Sequence, residues 1–113
     1  MAFLTLDAIK EADDIKNQTV VIPEWGGDIL IKSMSGRLRS NLEQKIASNA
    51  PHGDIKMLIL LNCCINEDGS RMFKDSDKSW LTEKAAAPLE TLFVAICKMS
   101  GIGVDAVEEA EGN

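Results

Sequence analysis

The sequence predicts an α+β fold, mostly α-helical, with an N-terminal β-hairpin packed against a bundle of about four to five helices. Three observations carry this prediction. Two runs rich in β-branched residues, 19–22 and 29–34, flank the turn Pro23-Glu24-Trp25-Gly26-Gly27-Asp28, which is the pattern of strand, turn, strand. Downstream, apolar residues recur at helical spacing, as Leu38, Leu42 and Ile46 and again as Leu89, Leu92, Phe93, Ile96 and Met99. Between those two stretches, Ile55 to Ile65 is almost unbroken apolar sequence, the length of one buried element.

Taken in chain order, Thr5 is placed as an N-cap for a short helix over 6–13, with Leu6, Ile9 and Ala12 on one face and Asp7 in the first turn. In the hairpin turn that follows, Gly26 and Gly27 can supply positive φ angles and Pro23 ends the ladder. Trp25 is one of only two tryptophans in a chain that is 4% aromatic. It either projects from the hairpin tip or folds back as a lid over the apolar side of a strand. Ser35 caps a helix over 36–48 with a narrow apolar stripe, leaving Arg37, Arg39, Glu43 and Lys45 for solvent or a partner. Asn49-Ala50-Pro51-His52-Gly53 breaks that helix.

Asp54 is read as the cap of a buried helix carrying the long apolar run, because Leu, Met and Lys favour helix over strand. A polar turn at Asn66-Glu67-Asp68-Gly69 ends it. Asp75 or Asp77 then caps a short helix holding Trp80 and Leu81, and a last helix over 84–99 tolerates Pro88 in its first turn. Residues 1–101 make one globular domain, and 102–113, with four acids and no base, an acidic mobile tail.

Composition narrows the function. The net charge is −6, and an acidic chain repels phosphate backbones, so neither nucleic acid nor an acidic membrane surface is an expected partner. No run approaches the roughly 18 apolar residues of a membrane span. The three cysteines, Cys63, Cys64 and Cys97, are an odd set with two adjacent, which fits a reducing compartment better than a disulfide framework.

Catalytic and ligand motifs fail one by one. His52 is the single histidine, and a cysteine partner would lie about 16 Å away along a helix rising 1.5 Å per residue. Adjacent cysteines on a helix diverge by about 100°, unlike paired zinc ligands. The stretch from Cys64 to Asp75 has Asn66, Asp68 and Gly69 where a calcium loop would, but lacks the first carboxylate and the final Glu. Gly26-Gly27 leads into a strand instead of a helix, so no phosphate cradle forms. The residues therefore point to a binding protein without catalytic, cofactor or metal site. Its best contact surface is the hairpin edge with its tip, Trp25, Glu24, Gly26 and Gly27, together with the basic pair Arg37 and Arg39. Helices of the same chain covering both edges is the competing reading.

The order of landmarks resembles a family. Leu6 and Ile9 through Ala12-Asp13-Asp14 match "LxxIxxADD", and Val21-Ile22-Pro23-Glu24-Trp25-Gly26-Gly27 with Ser35-Gly36 match "VxVPEWGGxVxVxxxSG". Cys64 through Gly69 with Phe73, then Asp77 through Leu81, Lys84, Ala86, Leu89-Glu90, Leu92 and Gly101, continue the series. Together they resemble the tail assembly chaperones of long-tailed phages and prophages, over almost the whole chain. Pro88 and the basic Arg37-Leu38-Arg39 depart from the family pattern.

The resemblance implies a non-enzymatic protein of the host cytoplasm, absent from the mature virion, that self-associates into a homo-oligomer. It implies binding to the tape measure protein and contact with the major tail tube protein. A structural tail completion or connector subunit, forming a ring within the particle, is the rival reading. Met34, Met57, Met72 and Met99 could adapt to varied client side chains, or simply fill the core.

Overall fold

The computed structural model describes residues 2–103. Among them the elements run α1 (Leu6–Glu11), β1 (Asn17–Ile22), β2 (Gly27–Lys32), α2 (Gly36–Ala47), α3 (His52–Cys63), β3 (Cys64–Ile65), α4 (Lys78–Leu81) and α5 (Ala86–Met99), with 3-10 turns at Pro23–Trp25 and Asp75–Asp77. The fold is α+β and mostly helical, as the sequence predicts. The acidic tail expected at 102–113 lies outside the described residues from 104 onward.

α3 is the centre of the core. Ile55, Met57, Ile59, Leu60, Leu61 and Cys63 are all buried, so this helix is covered on most sides, by α2 and α5 among others. α5 faces it with Leu92, Phe93, Ile96 and Cys97, and lies on the inner face of the hairpin. The inner positions of the strands are Val20 and Ile22 on β1 and Ile31 on β2, all buried. Because strand side chains alternate, Thr19 and Val21 turn outward. α2 contributes Leu38 and Leu42, and its N-cap is Ser35, whose Oγ accepts from the Leu38 N–H at 3.2 Å.

Four details depart from the sequence reading. The helix over the apolar run begins at His52, so Asp54 sits in its first turn and is no cap; its carboxylate instead accepts from Lys78 Nζ at 2.6 Å, tying α4 to α3. The run then ends as a strand: Leu30 pairs with Ile65 and Ile31 with Cys64, so the sheet has three strands in the order β1-β2-β3. A strand, and no helix, thus covers part of the outer edge of β2. The strand β2 also runs from Gly27 to Lys32 instead of 29–34, because the Met34 N–H leaves the ladder to donate to Ser100 Oγ at 2.9 Å.

The fourth departure is α1. Its cap is the expected one, with the Ala8 N–H donating to Thr5 Oγ1 at 3.1 Å. Yet none of its residues is buried, and the face carrying Leu6 and Ile9 is exposed. The body begins instead at Lys16 and Ser33. The Lys16 N–H donates to Ser33 Oγ at 2.9 Å and the Ser33 N–H to the Lys16 carbonyl at 2.8 Å, which closes the open end of the hairpin.

Candidate functional site

The hairpin tip shows why a tryptophan stands in a turn. Pro23 opens a single 3-10 turn, the Gly26 N–H closes it on the Pro23 carbonyl at 3.1 Å, and Gly26 takes φ 75° to re-enter the sheet. A side chain rarely adopts that angle, whereas glycine does so freely. Gly27 is already in the ladder, opposite Ile22. Glu24 is exposed, and Trp25, half-buried, folds back against the core, so the lid reading of Trp25 holds.

Trp25 is also one wall of a cleft. With Ile29 beside it on β2, it faces Met72, Phe73, Trp80 and Leu81 across a groove of about 380 Å³, with Lys84 at the rim. The second wall is built by short-range chemistry. Arg71 Nε donates to the Leu61 carbonyl at 2.9 Å and Nη2 to Asp75 Oδ1 at 2.8 Å, pinning the 71–75 segment to the end of α3. Leu81 anchors α4 in the core. Phe73, itself buried, meets Trp80 edge-on at 5.9 Å between centroids, the arrangement aromatic quadrupoles prefer.

Trp80 is 46% exposed, an unusual position for so large an apolar ring. Its one polar atom is satisfied, since Nε1 donates to Asp77 Oδ1 at 2.8 Å. Asp77 Oδ2 accepts from the Lys74 N–H at 2.7 Å. These bonds, the Trp80 one foremost, hold the Asp77 carboxyl below the usual carboxylate range. Asp77 thus precedes α4 as expected, but its carboxylate orients the tryptophan instead of capping the helix. What remains of Trp80 for a partner is its apolar face.

The predicted contact residues do not form one surface. Glu24, Trp25, Gly26 and Gly27 lie at the tip. Arg37 and Arg39 follow the opposite end of β2, about 17 Å away along a strand rising about 3.3 Å per residue. There Arg37 borders a separate cavity of about 160 Å³ with Ile15, Lys32 and Asn41, and Arg39 pairs with Glu43 at 3.0 Å. Sequence reading missed Phe73 and Trp80 as groove residues, and had Met72 only as one of four methionines that could meet a client. The one available signal was that Trp80 is the second of only two tryptophans, three residues after an aspartate that can hold its N–H.

The three cysteines and Asp68 serve structure. Cys63, Cys64 and Cys97 are buried free thiols. Burial pushes Cys63 and Cys64 up to about 12 and Cys97 up to about 11, far from the thiolate range that nucleophilic cysteines need. In the 66–70 turn, the Ser70 N–H and Oγ both donate to Asp68 Oδ1, at 2.9 and 2.6 Å, and Gly69 has φ 90°. The carboxylate that suggested a calcium loop therefore ties a tight turn. Among the described residues no group of three His, Cys, Asp or Glu side chains is placed to hold a metal ion, and no helix is long and apolar enough to cross a membrane.

Together these features define a small α+β fold with an open aromatic groove between a hairpin tip and a short helix. The same fold is found in the solved tail assembly chaperone of bacteriophage HK97, with a TM-score of 0.57 and 17% identity over 80% of this chain and 94% of that one. No family model and no curated protein matches the sequence.

Proposed function

We propose that this chain is a phage tail assembly chaperone that acts by binding and carries out no chemistry. It holds apolar helical segments of the tape measure protein soluble and presents the complex to tail tube subunits, working as a homo-oligomer in the host cytoplasm and leaving before the virion is complete. The observation that carries this reading is the fold shared with the HK97 chaperone across most of both chains. The groove adds a mechanism. An amphipathic helix can lay its apolar stripe between Trp25 and Trp80, and Met72 can adjust to uneven client side chains.

The reading is tested by co-expressing the chain with the tape measure protein and measuring the soluble fraction of the client, alongside mass spectrometry of purified particles. A soluble stoichiometric complex, with the chain absent from particles, is the expected result. A client that stays insoluble, or a chain retained in the particle at fixed copy number, overturns it in favour of a structural tail subunit.

A further inference from the structure

The N-terminal arm has an apolar surface that the described residues leave exposed. Phe3 is 98% exposed, Leu4 77%, Leu6 68% and Ile9 57%. The helix they flank, α1, has six residues, well short of the roughly 12–15 at which an isolated helix is even marginal in water. Its Thr5 cap satisfies one N–H, and Leu4 and Ile9 occupy the two positions of a hydrophobic staple. The local sequence is therefore written for a helix that becomes stable only when this face is covered.

The same chain presents one groove of matching character. Trp25, Met72, Phe73 and Trp80 give it aromatic and flexible walls, and Lys84 is the only charged side chain lining it among the described residues. The arm is acidic, with Asp7, Glu11, Asp13 and Asp14 against Lys10. Asp77, the acid beside the groove, stays ionised while it accepts from Trp80 Nε1 and the Lys74 N–H, so Lys84 has to offset it and the match rests first on the apolar faces. The arm of the same molecule is tethered elsewhere: its exit at Lys16 is fastened to Ser33 at the open end of the hairpin, whereas the groove lies at the tip.

We infer that the arm is the self-association element, and that Phe3, Leu4, Leu6 and Ile9 of one copy seat in the Trp25–Trp80 groove of a second copy. Two-fold exchange lets each molecule give one arm and receive one. That doubles the contact of a single arm toward the roughly 800 Å² per partner of a standard interface. The inference rests on the groove that the proposed function gives to a client helix, so arm and client compete for it and the arm leaves when a client enters. Self-association measured without client tests the arm separately from the chaperone reading.

The test is sedimentation velocity and light scattering of the full chain over a concentration series, without client. The chain is expected to self-associate, and the double variant Leu6→Asp/Ile9→Asp to weaken association by about 100-fold with an unchanged circular dichroism spectrum and melting temperature, since neither side chain is packed in its own fold. Mixing that variant, whose groove is intact, with Trp80→Asp, whose arm is intact, leaves one of the two contacts and should give a one-to-one pair weaker than that of the full chain but tighter than either variant forms alone. A full chain that is monomeric throughout, an arm variant that associates as tightly as the full chain, or a mixture that pairs no better than either variant alone each overturns the proposal. The arm variant decides the matter even if Trp80→Asp fails to fold.

Discussion

Helices α3 and α1 make opposite use of the same sequence signal. Both carry large aliphatic residues, yet α3 buries six of its twelve and α1 none of its six. The difference is length and position. α3 sits between α2, α5 and the sheet, so its cohesion comes from neighbours on several sides. α1 lies before Lys16, where the hairpin closes, and its apolar face is exposed. Apolar spacing thus identifies a helix without saying whose core it completes.

The contrast is sharpest when the two are truncated. Phe93, fully buried on α5 against α3, has Lys56 Nζ 5.0 Å from its ring centroid. Phe93→Ala is expected to cost about 3–5 kcal/mol by the emptied volume alone, measured by chemical denaturation, and a cost below 1 kcal/mol would mean that the centre of the core is misassigned.

The three core thiols supply the next largest effect, through pH. Their folded values, about 11 to 12, lie above the ordinary 9.0. A raised thiol pKa means the unfolded state loses its protons first, so this stability is complete below pH 9 and drains away as pH climbs from 9 toward 12. Denaturation midpoints should therefore fall between pH 8.5 and 10.5 (values chosen about the ordinary thiol range) more steeply than in a triple Cys→Ala chain. Equal slopes would show that burial does not hold these groups neutral.

A smaller effect isolates the hairpin tip. Gly26 has φ 75° with no atom within 4 Å of where a Cβ would sit, so Gly26→Ala introduces backbone strain without a clash. The expected cost is about 1 kcal/mol, with the tryptophan emission altered as the loop shifts. The smallest effect belongs to the arm: Ile9→Ala should leave monomer stability within about 0.5 kcal/mol, and a larger loss would mean that α1 packs on its own chain.

Much of the architecture is legible in the residues. Ser35 and the stripe of Leu38 and Leu42 specify α2, the glycine turn specifies the hairpin, and the periodic apolar residues of α5 specify the last helix, because each signal is local. The start of α3 was misplaced because Pro51 begins the helix with no side-chain cap, while Asp54 serves Lys78. β3 was hidden because Cys64-Ile65 continues an apolar run and becomes a strand only through pairing with β2. The groove was half visible. Trp25 stood out in its turn, but Phe73 and Trp80, set by the local Arg71 and Asp77 hydrogen bonds, meet it only because the fold brings the 71–81 segment to the hairpin tip.

Both tryptophans line the groove, and this makes the central claim directly measurable. Tryptophan emission would be followed while the chain is titrated with a synthetic amphipathic helix from the tape measure protein. A saturable blue shift is expected as both rings lose water, abolished in Trp80→Ala, which leaves the buried walls intact. A client helix that binds without shifting the emission, or binds Trp80→Ala equally well, would place the contact elsewhere and contradict that claim.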